Sequence, residues 1–592
     1  MTKVGKLRQY MRRHGVQAFV TPSTDPHSGE YVPKHWESRA WVTGFTGSAG
    51  VAVVTMDKAA LWTDSRYFIQ AADQIRDTEF VLMKDKVEGT PTIEDWLATE
   101  LSDGDCVGVD GLVNTVSAIE ALRDSLLPYG ITVEDVGDPY DEIWEERPQL
   151  PTSPVVIQGL EYSGESTASK LARIREKTGM DALLVSMLDE VCWTLNLRGD
   201  DIDYNPVFVS YLLITPDKAV LYVDRRKTDE VRSCYEGRDM LIADYLNDEG
   251  VEVKDYGSIF SDLKDIDTPV WAQKEKTNYA CYMLLKNPMA RECPISAMKV
   301  MKNATEIAGY RKAMVKDGVA MVKWLKWLIP AVEAGGQTEM SLVRRLYELR
   351  KEQLLFMGDS FQNIMGYGSH GAIVHYEPND TTDIPVRAEG LLLCDVGSQY
   401  RDGTTDMTRT IPLGPLTDEM RRDYTLVLRG WINLAKAHFP KGTYGSQLDV
   451  LARAAMWEYG INYLHGTGHG VGSYLNCHEG PHQFRMNYMP FPLCPSMTIT
   501  DEPGIYIEGS HGVRHENTML VVEDKDGVTF GPYYRFEPLT MCPVITWPVI
   551  TEWLTSDEKT WLNQYQKQVF ETLSPLLDNE HREWLREICK EI

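Results

Sequence analysis

The stretch from Tyr463 to Gly472 constrains the fold most, because its ten residues include four glycines alternating with two histidines and little bulk. Glycine is costly inside ordinary helices and strands, so this density indicates a backbone that another group approaches closely. The apolar segment 457–464 precedes it and predicts a strand that ends at a ligand site. We interpret His469 as a metal ligand and His465 as a group beside it. A glycine-rich surface turn that carries histidines by chance is the alternative.

The first half of the chain contains two similar segments, 55–66 and 215–226. Both begin with threonine, continue through Asp-Lys-Ala, and end with an aspartate and an arginine, and each predicts two strands around a turn. An internal duplication explains the match most simply. Helical patterns such as 116–127 and 169–178 lie between the strands, so we expect two α/β domains of similar construction.

A chain of 592 residues is too long for one hydrophobic core. Three prolines between Pro148 and Pro154 predict a first boundary, and Asn303 with Glu306 predicts the start of a long helix that Pro330 stops at about Leu328. We therefore expect domains at residues 1–152, 153–302 and 303–592. Further helices are predicted at 338–353, 417–438 and 445–459. The tail 555–592 is predicted to be helical and either to pack against the rest of its domain or to form an interface.

The net charge of −27 argues against nucleic acid or an anionic membrane as a partner, since both bind mainly through clustered Lys and Arg. No apolar run is long enough to span a bilayer, and residues 1–17 lack the apolar centre of a signal peptide. We expect a cytoplasmic protein. The ten cysteines show no Cys-x-x-Cys pair, which predicts reduced thiols and no thiolate zinc site.

Four acidic residues in the last third of the chain form two pairs. Asp395 and Asp406 flank turn-forming residues near 400–403, so a hairpin would place them nearly opposite each other. Glu502 and Glu516 flank a second turn at 509–512 in the same way. Like charges held together are destabilising unless a cation lies between them. Nine of the 13 histidines lie between His370 and His515, in the same part of the chain.

Four carboxylates and one imidazole suit two hard divalent cations. Such a pair can hold a bridging hydroxide against a carbonyl carbon, so the predicted reaction is metal-assisted hydrolysis of an amide or ester. Strand alternation places Arg514 on the face of Glu516 and turns His515 to the other face. A solvated surface acid is the alternative for any one of these carboxylates.

These residues resemble the five metal ligands of the pita-bread metallopeptidases: Asp395, Asp406, His469, Glu502 and Glu516. The similarity extends to the motifs 373–376, 465–472, 478–481, 205–208 and 62–67, and so to almost the whole chain. Within this group the pattern is most similar to the cytosolic three-domain Xaa-Pro aminopeptidases. The implied fold is α/β (α+β), with two duplicated creatinase-like domains followed by a pita-bread domain.

The resemblance also implies roles for individual residues. The metal is expected to be manganese, with zinc or cobalt as alternatives, and Glu502 is expected to be the proton shuttle. His375 and His478 would contact the peptide and stabilise the oxyanion, whereas His465, Tyr506 and Arg514 would line the pocket for the proline ring. Core packing is the alternative for His375, His478 and Tyr506. His515 departs from the family pattern, in which an apolar residue is commoner at that position.

The implied activity is release of the N-terminal residue from peptides with proline at position two, by a homodimeric enzyme. An Xaa-Pro bond is a tertiary amide without an N–H, so it fits poorly in sites that bind the scissile bond through that donor. A dinuclear site does not depend on that donor. A prolidase that cuts only dipeptides is one alternative. A creatinase-like enzyme is disfavoured because all five ligands are present, and a non-catalytic peptide-binding module would be expected to have lost some of them.

Overall fold

The computed structural model describes residues 1–179, 181–525 and 529–592, which form two compact units. The first unit contains Met1–Leu160 and Glu165–Ile295, and the second contains Glu161–Gly164 and Ser296–Ile592. Within the described ranges, none of the helices combines the length and the apolar character that crossing a membrane requires. The two boundaries between the three domains expected from the sequence stay a prediction.

The first unit contains two six-stranded sheets of identical topology. In spatial order the first sheet consists of Phe80–Lys84, Ala59–Thr63, Val51–Thr55, Ala18–Pro22, Cys106–Val109 and Thr132–Asp135. The second consists of Val251–Asp255, Ala219–Val223, Ser210–Ile214, Ala182–Val185, Val270–Trp271 and Pro288–Met289. The direction of pairing is the same at every step: parallel, antiparallel, antiparallel, parallel and parallel. The predicted duplication is confirmed.

The two similar sequence segments form the same turn in each sheet. The hydroxyl of Thr55 accepts the backbone N–H of Lys58 at 3.0 Å, and that of Thr215 accepts the N–H of Lys218 at 3.2 Å. A threonine that bonds its own backbone in this way stabilises a tight connection between strands. The repeated Thr and Lys therefore correspond to a repeated turn.

Helices pack around both sheets of the first unit. They are Lys3–His14, Ser38–Thr43, Phe68–Gln74, Ile93–Glu100, Val116–Leu126, Tyr140–Ile143, Thr167–Thr178, Leu188–Leu195, Ile242–Asp248, Ile259–Asp265 and Tyr279–Tyr282. The two helices predicted in this region are confirmed to within two residues. Four short strands complete the unit: Val156–Ile157, Leu197–Arg198, Arg232–Tyr235 and Arg238–Leu241.

The long helix of the second unit, Ala304–Ala334, begins where the sequence predicts but ends later. Asn303 and Glu306 form the expected capping box at its start. Pro330 lies inside the helix, so the prediction that it stops the helix is wrong. Proline removes one backbone donor, and here the ring is exposed while Val332 beyond it is 4% exposed. Burial of Val332 outweighs the lost hydrogen bond.

Two short helices, Leu160–Ser163 and Pro294–Lys299, lie where the two units meet in sequence. Further helices of the second unit are Glu339–Lys351, Asp418–Ala435, Gly445–Trp457, Ser556–Leu573 and Asn579–Ile588. The predicted helix at 417–438 ends three residues early, because His438–Pro440 forms a strand. The tail is helical as predicted. It has a packing role, since Leu562, Val569 and Leu573 are fully buried in a core that includes Trp431.

Two sheets of the second unit carry the acidic pairs. One consists of Ile364–Tyr367, Leu391–Val396 and Met407–Pro412, and the other of His438–Pro440, Tyr533–Pro538, Asn517–Asp524 and Thr498–Asp501. The remaining strands are Phe356–Asp359, Ser398–Tyr400, Gly403–Thr404, Gly468–Gly470, Glu479–Phe484, Gly504–Ile507 and His511–Arg514. In both sheets, two neighbouring strands are joined through a smaller hairpin. The acidic residues lie where that smaller hairpin begins and ends.

Candidate metal centre

The aspartate hairpin, formed by Leu391–Val396 and Met407–Pro412, carries the first acidic pair. Its register places Asp395 opposite Thr408, so Asp406 is offset from Asp395 by two residues and the two lie nearly opposite each other, as the sequence predicts. The shift arises because Asp406 lies just before the second strand, beside the smaller hairpin. Residues two apart on a strand share a face, so the two carboxylates remain on one side of the sheet as diagonal neighbours.

The glutamate hairpin carries the second pair. Pairing of Thr498–Asp501 with Asn517–Asp524 ends at Asp501 and Asn517, and Glu502 and Glu516 are the next residue on each side. The two glutamates therefore lie across from each other, as the sequence predicts. The backbone N–H of Glu502 donates to the carbonyl of Thr467 at 2.8 Å, which ties this hairpin to the glycine-rich stretch.

The glycine-rich stretch differs from its prediction. Trp457 ends a helix, and the only strand of the stretch is Gly468–Gly470, so the expectation of a strand over 457–464 is wrong. The close approach is confirmed, but the approaching group is backbone. A Cβ on Gly468 would lie 2.0 Å from the carbonyl oxygen of Thr500, and one on Gly470 would lie 2.4 Å from that of Glu479. Glycine lets three chain segments meet around His469.

Three of the proposed ligands converge. One donor atom each from Asp406, His469 and Glu516 lie within 4.8 Å of one another. His469 Nε2 is 3.4 Å from Asp406 Oδ2 and 3.5 Å from Glu502 Oε1, which brings Glu502, a fourth proposed ligand, to the same place. Imidazole and carboxylate ligands without sulfur are the set expected for a hard or borderline divalent cation.

The electrostatics of the cluster also fit a cation. Burial raises the pKa of Asp406 to about 7, and the neighbouring charge of Asp395 adds to it while His478 opposes it. Burial likewise raises the pKa of Glu502 to about 8, against the opposing charge of Arg514. The pKa of Glu516 is raised well above its usual range by burial and then by Asp406. Clustered buried acids resist ionisation, and bound cations remove that cost.

Asp395 is linked to Arg514, one of the residues proposed to line the pocket for the proline ring. Its Oδ2 accepts a hydrogen bond from Arg514 Nη2 at 2.6 Å, whereas its Oδ1 is buried and has no hydrogen-bond partner within the described ranges. A buried orphan carboxylate oxygen is costly, and a metal ion would satisfy it. All five proposed residues therefore fit a metal site, with Asp395 at its Arg514 side.

The residues proposed for the pocket form a continuous chain of hydrogen bonds. Arg514 Nη1 donates to the hydroxyl of Tyr506 at 2.7 Å, and that hydroxyl lies 2.8 Å from His465 Nε2. Burial raises the pKa of Tyr506 to about 12, although Arg514 opposes the shift. Packing alone, the alternative for Tyr506, does not account for two polar contacts on one hydroxyl.

His478 and His375 flank the site on separate segments. His478 precedes the strand Glu479–Phe484, and its ring lies edge-on to that of His469 with centroids 4.3 Å apart. His375 lies on a turn between Val374, whose carbonyl accepts from Arg514 Nη2 at 3.3 Å, and the buried Tyr376. Both histidines are therefore attached to residues of the centre.

His515 faces away from the metal ligands, as strand alternation predicts. It is fully buried, and its ring packs edge-on against Tyr424 with centroids 4.7 Å apart. Burial holds the pKa of His515 well below its usual value. It is a neutral packing residue in an apolar core.

Several supporting residues were missed at the sequence level. Thr408 Oγ1 donates to Glu516 Oε2 at 2.8 Å, and the thiol of Cys477 donates to Asp406 Oδ2 at 3.2 Å. Glu479 is buried between Lys299, at 2.8 Å, and Lys302, and it follows His478 directly. Thr408 lies two residues after Asp406, so strand alternation alone places it on the ligand face. Nothing in the sequence pairs Glu479 with lysines 177 and 180 residues away.

Metal binding should release protons and weaken as the pH falls. The acids with raised pKa values hold protons below about pH 7 to 8, so a cation must displace those protons. The metal-free protein can be titrated with metal in a calorimeter, in two buffers of different ionisation enthalpy. The heats of metal binding measured in the two buffers should differ below pH 8 and agree above it. Heats and affinities independent of buffer and pH between 6 and 8 would contradict the assigned ligands.

Family models match the chain in four parts. Residues 308–523 match metallopeptidase family M24, and residues 532–592 match the C-terminal region of peptidase M24. Residues 3–143 and 146–306 each match the creatinase/prolidase N-terminal domain. The duplicated topology of the first unit thus corresponds to two matches with the same kind of domain.

Relatives match almost the whole chain. A probable Xaa-Pro aminopeptidase P from Neurospora crassa is 39% identical, over 98% of this chain and 88% of that protein. Another from Laccaria bicolor is 38% identical, over 99% of this chain and 93% of that protein. The crystal structure of X-prolyl aminopeptidase from Caenorhabditis elegans, called a cytosolic enzyme with a di-nuclear active site, is 34% identical. It has a TM-score of 0.94 and covers 100% of this chain and 99% of that chain.

Proposed function

We propose that this chain, a member of metallopeptidase family M24 and an Xaa-Pro aminopeptidase, uses the metal centre described above to release an N-terminal residue that precedes proline. The fold comprises two creatinase-like N-terminal domains and a pita-bread catalytic domain. The observation that carries the proposal is the convergence of Asp406, His469 and Glu516, with Glu502 Oε1 3.5 Å from His469.

The centre takes two divalent cations, consistent with its family. We assign them to Asp395, Asp406, His469, Glu502 and Glu516, and propose manganese as the native metal because carboxylate-rich sites suit it; zinc and cobalt are the alternatives. When bound, the cations would activate water and polarise the carbonyl of the Xaa-Pro bond. Thr408 and Cys477 hold two of the carboxylates by hydrogen bonds.

Glu502 is proposed to move the proton. Cleavage of the tertiary amide expels the proline nitrogen, which must receive a proton to leave. Glu502 Oε1 lies 3.5 Å from His469 Nε2, inside the ligand cluster, and a carboxylate beside the attacking water can take a proton from it and pass it to the leaving nitrogen.

His478 and His375 are proposed to donate hydrogen bonds to the peptide and to the oxyanion that forms at its carbonyl. The edge-on contact with His469 keeps His478 beside the ligand cluster. Arg514 holds the carbonyl of Val374 next to His375, so both donors are attached to the centre. Donors placed before the reaction contribute more than donors that must reorient.

His465, Tyr506 and Arg514 are proposed to line the pocket for the proline ring. Their hydrogen-bond chain fixes the orientation of two aromatic rings, which present apolar faces to a bound ring. A homodimer and a cytoplasmic location are further proposals, the second supported by the cytosolic description of the nematode relative.

A peptide panel tests the proposal. Metal-loaded protein should release the first residue from Xaa-Pro-Yaa peptides, and should leave matched Xaa-Ala-Yaa peptides intact. The prolidase alternative is not favoured by the near-full-length relatives. Cleavage of Xaa-Pro dipeptides but not of longer peptides would reverse that conclusion, and absence of any hydrolysis would favour a binding module.

A further inference from the structure

One buried carboxylate outside the ligand cluster, that of Glu339, contacts three residues around the proposed substrate-binding His375. Glu339 is the first residue of the helix Glu339–Lys351 and is fully buried. Its Oε1 accepts from the backbone N–H of Tyr367 at 2.8 Å, and its Oε2 accepts from the hydroxyl of Tyr376 at 2.6 Å. The Nδ1 of His370 lies 3.0 Å from each oxygen.

These partners enclose the segment Gly368–Tyr376, which we name the His375 turn. Tyr367 precedes its start, His370 lies in its short 3-10 helix, and Tyr376 ends it. The rings of His370 and Tyr376 pack with centroids 4.4 Å apart, so the two side chains that reach Glu339 also support each other. The Glu339 carboxylate therefore connects both ends and the middle of the His375 turn to the start of the helix Glu339–Lys351.

The other side of the His375 turn packs against the strand His511–Arg514. A Cβ on Gly512 would lie 1.7 Å from the carbonyl oxygen of Gly371, so the two backbones are in direct contact. Arg514 Nη2 reaches the carbonyl of Val374 at 3.3 Å and also binds Asp395. The turn is thus held between Glu339 on one side and the strand His511–Arg514 on the other.

We propose that Glu339 is a positioning residue that fixes the His375 turn so that His375 reaches the substrate carbonyl. Tyr376 adjoins His375 directly, so its bond to Glu339 limits rotation of the backbone that carries the imidazole. A buried carboxylate that accepts several hydrogen bonds is costly to replace, because each donor loses its acceptor. Glu339 touches neither the substrate nor the ligand cluster and acts through His375, so this inference rests on the role proposed for His375.

A double-mutant cycle tests this. Glu339→Gln keeps the size of the side chain but loses acceptor capacity, and we expect kcat to fall about tenfold, within the range for groups that orient a functional side chain. The KM for an Xaa-Pro-Yaa peptide and the metal content per chain should stay at wild-type values. Glu348→Gln, on an exposed position of the same helix, is the matched control and should leave kcat unchanged.

The decisive comparison is the same substitution in a His375→Ala background, where Glu339→Gln should have no further effect on kcat. An equal loss of kcat in both backgrounds, or loss of metal with kcat, would overturn the inference. Wild-type kcat in His375→Ala itself would instead refute the role proposed for His375. If Glu339→Gln does not fold, Tyr376→Phe removes one donor, and the same absence of effect in the His375→Ala background is expected.

Discussion

Replacing Asp406 by alanine should remove metal and activity together. Asp406 is 3% exposed, lies 3.4 Å from His469, and shares the trio of donor atoms that lie within 4.8 Å. Loss of a ligand should cost more than the roughly 100-fold seen when a supporting group is lost. Metal analysis after dialysis should show the loss, and kcat/KM for an Xaa-Pro-Yaa peptide should fall by more than about 100-fold.

Asp406→Asn separates metal binding from folding. Its amide has the shape of the carboxylate but not its charge, so the metal-free variant should be at least as stable as the metal-free wild type, in which buried acids repel one another. Metal at 100 times Kd should stabilise the wild type by about 2.7 kcal/mol and the variant by much less. Asp380→Ala, at an exposed position, is the control. Wild-type metal content in either Asp406 variant would refute the ligand assignment.

Replacing His478 by alanine should have the opposite signature, with metal retained and rate lost. His478 packs edge-on against His469 but is not one of the converging ligands. Loss of one preorganised oxyanion donor costs about 10²-fold to 10³-fold in kcat. Steady-state kinetics should show that loss with a KM close to wild type, and metal analysis should be unchanged.

The control for His478 is His14→Ala, at an exposed position in the first unit. It should leave both kcat and metal content unchanged. If His478→Ala kept the wild-type rate, His478 would be a packing histidine, the alternative that its sequence context allows. Simultaneous loss of metal would instead place His478 among the ligands.

The sequence predicts those parts of the fold that depend on local chemistry. The capping residues Asn303 and Glu306 mark the start of a helix, and the two Thr-x-Asp-Lys turns mark a duplication, because each depends on residues within four positions. Prediction from the sequence fails where packing between distant segments determines the structure. Pro330 does not end its helix because the burial of Val332 continues beyond it, and that burial depends on distant segments.

The candidate site divides in the same way. Spacing across a turn places Glu502 and Glu516 opposite each other and Asp395 nearly opposite Asp406. The exact strand partner of Asp395, Thr408, depends on the smaller hairpin and cannot be read from the spacing. Glycine density indicates a close approach at Gly468 without showing that the approaching group is the backbone of Thr500. Glu339 carries no local signal, because its partners Tyr367 and Tyr376 lie 28 and 37 residues away.

Five side chains are proposed to hold two metal ions for hydrolysis of Xaa-Pro bonds. The most direct measurement titrates metal-free protein with Mn²⁺ and follows both bound metal and the cleavage of an Xaa-Pro-Yaa peptide. The rate should rise until two ions are bound per chain and then stay constant. Full activity without metal, or binding of two ions with no cleavage of that peptide, would contradict it.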